Sequence, residues 1–220
     1  DHKQKEQTIS FLYELLLNRE GDIRRQAAAL IGKMFANFNA GYRKEIPADM
    51  ADLDDRQART LWEAYMEKLI CPDYRLTLQQ KRRIQNSLKY VLLSGIEHSD
   101  DRVREEMLTI FYRWFDGSHE LDEDARFALL DAVFSMPAEL CARSGRLDCL
   151  AEFAVDNMDH EDDRVRVAAV RALKVLTSVV TRENACYERV RKAVTEMDTG
   201  SITMVFLQYR ILTNLRLDTE

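Results

Sequence analysis

Four histidines, His2, His98, His119 and His160, are the first residues of this chain to question for chemistry. Two of them stand beside a glutamate, as His119-Glu120 and His160-Glu161, and imidazole with carboxylate is a ligand set that suits iron. Two such pairs offer few ligands, and both fall in turns between apolar segments, where solvated polar residues are ordinary. His98 and His160 also hold the same register in two related stretches, five residues before a valine. A catalytic group needs one distinctive place, so a duplicated histidine reads as part of a turn.

The remaining reactive side chains are equally sparse. Asp162-Asp163 resembles the acidic pair of a magnesium site, but with no convergent histidine or lysine, capping of a helix accounts for it. The cysteines at 71, 141, 149 and 186 lack the close spacing of a zinc or redox motif. They read as plain thiols in a reducing cytoplasm. The phosphate-cradling, dinucleotide, zinc-protease and serine-nucleophile signatures do not occur. Basic residues cluster as Lys81, Arg82, Arg83 and Lys89, and as Arg24 and Arg25. Glu97, Asp100, Glu105 and Glu106 follow nearby, and the net charge is −6, which favours a salt-bridged, solvated face over nucleic-acid binding. No residue is therefore assigned a catalytic, cofactor-binding or metal-ligating role, and no cofactor is expected.

The elements that carry these residues are helical. Apolar positions at i, i+3, i+4 and i+7 predict helices near 4–18, 21–38, 54–70, 78–95, 101–116, 121–135, 144–158, 162–180, 184–197 and 201–216. No segment shows the period-two alternation of a strand with turn signals on both sides. Hydrophobic residues make up 46% and charged residues 32% of the 220, a globular and soluble profile too apolar for disorder. No apolar run reaches the length a membrane span needs, and no signal peptide is visible.

One local pattern occurs three times. "HEDDRVRVAAVRAL" (His160 to Leu173), "HSDDRVREEMLTIF" (His98 to Phe111) and the fainter "REGDIRRQAAALI" (Arg19 to Ile31) align position by position. Ile23, Val103 and Val165 correspond; so do Ala27, Met107 and Ala169; Leu30, Ile110 and Ala172; Ile31, Phe111 and Leu173; Met34, Trp114 and Leu176. These offsets lie on one stripe of a helix, so each copy is expected to bury the same face. Asp100 and Asp101, Asp162 and Asp163, and Glu20 with Asp22 precede the stripe, where a carboxylate can accept orphan N–H groups and meet the positive end of the helix dipole.

"DDRVRVAAVRALKVL" resembles the second helix of a HEAT repeat, and the resemblance covers residues 160–180, 98–116 and, in part, 19–38. It implies antiparallel helix pairs stacked into an armadillo- or HEAT-like solenoid. It also implies that Arg24, Arg104 and Arg166 reach carboxylates in the same or a neighbouring repeat as a polar ladder. Iron hydroxylases built on HEAT-like repeats use several His-Glu pairs, a fuller set than the two present here. HEAT units run about 40–47 residues. The 80-residue step between the first two copies fits two units, while the 62-residue step to the third fits neither one nor two. A short extra helix around Pro137–Arg143 would restore the phase.

Three further features complete the expectation. Asn39 to Asp55 form a long inter-helix loop carrying Tyr42, Arg43, Lys44 and Pro47, a candidate contact surface. Phe11, Phe35, Trp62, Phe111, Trp114, Phe127 and Phe153 are expected in the core, whereas Tyr13, Tyr42, Tyr65, Tyr74 and Tyr112 point less clearly inward and could line a groove. The last helix, "SITMVFLQYRILTNL", is apolar over much of its circumference and lacks the polar face of a capping repeat. It is expected to meet a missing neighbour or a second copy, or to sit deep in the fold. The chain starts at Asp1 inside a helical pattern, which suggests a piece of a longer protein. The expectation is a single all-α repeat domain over residues 1–220 with about ten helices. Its expected role is non-catalytic and cytoplasmic, as a scaffold for a protein partner or for another domain of its parent. The alternatives are a regulatory or substrate-positioning domain of a larger enzyme and a nucleic-acid-binding repeat domain. No membrane association is expected.

Overall fold

The computed structural model describes residues 2–45, 62–98, 100–143 and 145–217. Among them every regular element is helical: α1 (His2–Leu15), α2 (Gly21–Glu45), α3 (62–70), α4 (Leu78–Gln85), α5 (Leu88–Ile96), α6 (Asp101–Tyr112), α7 (Glu123–Ser135), α8 (Ala138–Arg143), α9 (Leu147–Asp156), α10 (Asp163–Leu176), α11 (Tyr187–Glu196) and α12 (Ile202–Leu217). A single 3-10 turn, Arg113–Phe115, follows α6. Two compact units, Asp1–Phe111 and Tyr112–Glu220, divide the chain. Each packs its helices in the stacked, armadillo- or HEAT-like manner that the repeat implies.

The repeated turn is built from the same bonds each time. Nδ1 of His98 accepts the N–H of Asp100 at 3.1 Å, and Nδ1 of His160 accepts that of Asp162 at 3.1 Å. In the first copy Asn18 stands at this position, and its Oδ1 accepts the N–H of Glu20 at 2.9 Å. The next acid then caps the helix: Asp100 Oδ1 accepts from the N–H of Arg102 at 2.9 Å, and Asp162 Oδ1 from that of Arg164 at 2.8 Å. The histidines are thus turn residues. The same chemistry starts other helices, with Asp122 capping α7 through the N–H of Ala125 and Thr77 forming a capping box with Gln80 on α4.

Two of the three arginines reach a carboxylate of their own repeat, as the resemblance implies. Arg104 and Arg166 pair with Asp101 and Asp163, three residues earlier on their own helices. Arg24 has Gly21 at that place and instead donates to the carbonyls of Asn18 and Arg19, both at 2.7 Å. Arg166 makes the same two bonds, to the carbonyls of His160 and Glu161. These arginines close their own turn, because the side chain curls back over the first helical turn.

Burial confirms the stripe in the second and third copies and corrects it in the first. Val103, Met107, Ile110, Phe111, Val165, Ala169, Ala172 and Leu173 are buried, and each of these apart from the two alanines contributes roughly 1.5–3 kcal/mol. In α2, Ala27 and Ile31 are buried but Ile23 and Leu30 are 39% and 50% exposed. The core face of α2 is rotated toward Ala28, Phe35 and Ala36, where α3 supplies Trp62 and Tyr65 at ring distances of 4.7 and 5.0 Å from Phe35. Phe11 is likewise exposed, not core, while Tyr65 and Tyr112 are core residues. Tyr13 donates to the carbonyl of Lys68, which ties α1 to α3, and burial with the nearby Asp73 pushes its hydroxyl up to about 12.

Element boundaries differ in two instructive places. The helix expected over 78–95 is two, α4 and α5, because Asn86 and Ser87 interrupt it and Ser87 Oγ turns back to the carbonyl of Arg83. Asn39 to Glu45, expected as loop, belong to α2, whose described residues run to Glu45. The rest of that loop and the start of the helix expected at 54 lie outside the described residues. The side chain of Tyr42 does so as well. The extra helix expected near Pro137–Arg143 is present as α8.

Candidate binding surface

The second unit has two layers. α10 packs against α7 on one side and α12 on the other. Asp124 and Phe127 face Arg164, and Phe134 faces Arg171, so α7 and α10 run in the same direction. Asn214 donates to the carbonyl of Lys174 and to Thr177 Oγ1, while Met204 lies beside Val167 and Val170, so α12 runs the same way again. Behind this layer α9 and α11 form the second, joined where Cys186 N–H donates to Asp148 Oδ1 at 3.0 Å and where Arg189 pairs with Asp156. Tyr187 Oη to the carbonyl of Leu215 and Gln208 Nε2 to that of Val194 lock α11 antiparallel to α12.

α12 shows where a partner could be seated. Leu207, Ile211 and Leu215 at i, i+4 and i+8 face the unit and are buried. Ile202, Val205, Phe206 and Tyr209 at i, i+3, i+4 and i+7 face outward, at 90%, 50%, 57% and 66% exposure. The greasy terminal helix is therefore not deep in the fold; it carries two apolar stripes, one covered and one bare. Isolated exposed hydrophobics are normal, but four on one helical stripe form a patch.

A second feature lies between α7 and α10. Phe127, Asp131, Phe134, Asp163, Arg164, Val167, Ala168 and Arg171 line a groove of about 310 Å³. Its charges repeat at seven-residue spacing. Arg164 pairs with Asp124 at 2.9 Å and with Asp162 at 2.6 Å while its guanidinium lies 5.7 Å from the Phe127 ring. Arg171 lies 5.8 Å from the Phe134 ring. A guanidinium held over a ring can still offer N–H donors to a third group. Periodicity had marked Phe127 only as core, and the pairing of the two arginines with rings on another helix is a tertiary fact without a sequence signal.

The residues singled out for chemistry are scattered. His119 stacks on Trp114 at 4.2 Å and shares a 3.0 Å contact with Ser118 Oγ, so its pair with Glu120 belongs to the loop before α7. Among the described residues no three His, Cys, Asp or Glu side chains converge on a point that could hold a metal ion. Cys141 and Cys186 are buried, and burial pushes their thiols up to about 11 and about 12, while Cys71 is exposed. Cys149 donates to the carbonyl of Phe115. Of the basic cluster on α4, Arg83 donates to the carbonyl of Leu17, and Lys89 at the start of α5 lies over the Tyr90 ring. No helix among the described residues is long and apolar enough to cross a membrane.

No protein-family model and no curated protein matches this chain. Among solved structures, it is similar to a designed armadillo repeat protein, with a TM-score of 0.46 and 13% identity over 92% of this chain and 80% of that one. Two engineered proteins are also similar, with TM-scores of 0.42 and 0.37. The first is 11% identical and covers 96% of this chain and 97% of its own, and the second is 12% identical and covers 94% and 67%.

Proposed function

We propose that this chain is a non-catalytic protein-interaction module, a scaffold of stacked helices whose exposed side chains hold a protein partner or another domain of its parent. The observation that carries this reading is the bare apolar stripe of α12: Ile202, Val205, Phe206 and Tyr209. In a repeat stack each helix layer covers the one before it, so an apolar stripe on an outer face is where a further helix packs. The stripe has the spacing that an amphipathic helix reads with its own apolar anchors, so its occupant is a partner helix. Phe206 and Tyr209 are the aromatic anchors expected to dominate that contact. The whole of residues 1–220 acts as one binding module in this reading, and the buried thiols of Cys141 and Cys186 suit a cytoplasmic setting.

The test compares wild type with Phe206→Asp as bait. A partner captured by wild type is purified and titrated against both proteins by calorimetry. The reading expects a one-to-one complex with wild type and a loss of at least about tenfold in affinity for the variant. Equal affinity of both proteins for every purified partner would overturn it.

A further inference from the structure

We propose that the groove between α7 and α10 recognises an acidic segment of a protein partner, seating one bulky apolar side chain between Phe127 and Phe134 and one carboxylate on Arg171. The proposal rests on the protein-binding reading and names the chemistry of what is bound.

Phe127, Phe134, Val167 and Ala168 give the groove an apolar base large enough for a single bulky side chain, since ligand pockets begin near this volume of about 310 Å³. The rings are spaced seven residues apart on α7 and the arginines seven apart on α10, so the two walls stay in register along the groove. Charge then decides what else enters. Arg164 is held by Asp124 and Asp162, Asp163 by Arg166, and Asp131 has a partner of its own. Arg171 is exposed, and its guanidinium carbon lies 5.8 Å from the centre of the Phe134 ring. Its N–H donors fit a carboxylate in fork geometry.

Lys174 follows Arg171 by three residues on α10, so a second positive charge stands next to it on the same helix, in a chain whose net charge is −6. A basic segment would be repelled here and a purely apolar one would leave the cations unused. An acidic segment with an apolar residue uses both.

The experiment uses the full chain and a fluorescein-labelled decapeptide in which aspartate alternates with leucine and phenylalanine. Its counterpart carries lysine in place of aspartate. Anisotropy titrations are expected to show binding of the acidic probe alone, weakening as sodium chloride is raised. Arg171→Glu should cost at least about tenfold in affinity. Arg25→Glu, an equal charge change on an exposed residue of the other unit, should leave the affinity unchanged. Circular dichroism checks that each variant keeps its helix content, which an exposed site permits. Equal binding of both probes, or equal losses from Arg171→Glu and Arg25→Glu, would overturn the assignment. A partner lost by Phe206→Asp but held equally by Arg171→Glu, beside an acidic probe that does not bind, would sink the groove and spare the wider reading. The acidic probe binding through Arg171, with no partner sensitive to Phe206, would do the reverse.

Discussion

The first and third copies of the repeated segment share a turn and differ in what covers it. Asn18 and His160 accept the same backbone N–H, and Arg24 and Arg166 close over the same two carbonyls. Yet Val165 and Ala172 are fully buried, while Ile23 and Leu30 in the same register are largely exposed. The turn bonds reach no further than six residues, so the local sequence carries all that they require. Burial depends on which helix lies alongside, and α10 has α7, α9 and α12 around it while α2 meets α1, α5 and α3 on another face.

The strongest way to break this comparison is to remove a leucine from each copy. Leu173→Ala removes a side chain with no exposure, and a loss of about 2–5 kcal/mol is expected from lost transfer energy and the cavity left behind. Leu30→Ala removes one that is half exposed, and less than about 1 kcal/mol is expected. Urea unfolding followed by circular dichroism reads both. Equal losses would mean that Leu30 is covered in solution.

Gly32 offers the next largest effect. It aligns with Lys174 of the third copy, a substitution that the local turn gives no reason to expect. A Cβ at Gly32 would come within 2.1 Å of the Val91 carbonyl oxygen and 3.0 Å of the Gly95 nitrogen. Both are backbone atoms, so α2 and α5 meet main chain to main chain and cannot yield cheaply. Helix propensity alone would favour Gly32→Ala by about 1 kcal/mol. Overpacking should reverse the sign and leave a net loss of about 1–3 kcal/mol. A stabilised Gly32→Ala would show that the two helices are further apart.

Which parts were legible in the sequence follows from the same distinction. The helical class, the three helix starts and the role of His98 and His160 rest on local chemistry or periodicity, the short helix α8 on the length of the repeat step, and the structure bears them out. Exposure of Phe11, Ile23 and Leu30, burial of Tyr65 and Tyr112, and the rotation of the α2 core face depend on tertiary neighbours, and periodicity misplaced them. The apolar face of α12 was visible as composition, but its division into a covered stripe and a bare one was not. The groove between α7 and α10 left no trace, because it is defined by pairs such as Phe134 and Arg171 that are 37 residues apart and unremarkable alone.

A smaller effect tests the turn itself. His160→Ala should cost about 0.5–1.5 kcal/mol by leaving the Asp162 N–H without its acceptor. His160→Asn should recover most of that, because Asn18 already performs the task in the first copy. Urea midpoints of the three proteins decide it. If the asparagine variant is as weak as the alanine one, the histidine ring contributes more than its acceptor nitrogen.

The smallest expected effect separates the two jobs of Arg166. Its pair with Asp163 is a surface contact, with the aspartate side chain 83% exposed, and such pairs contribute about 0–1 kcal/mol. Its bonds to the carbonyls of His160 and Glu161 satisfy acceptors in the turn at 2.7 and 3.1 Å. The first copy has already done one half of the experiment, since Gly21 removes the carboxylate and Arg24 keeps both carbonyl bonds. Asp163→Asn should therefore shift the urea midpoint little, and the shift should vanish at high salt. Arg166→Met keeps the aliphatic stem and loses every donor, so it should cost more, about 1 kcal/mol, at any salt concentration. Were the order reversed, the recurring acid-arginine pairs would be the stabilising element of the repeat, and the first copy, which lacks its aspartate, would be the weak one.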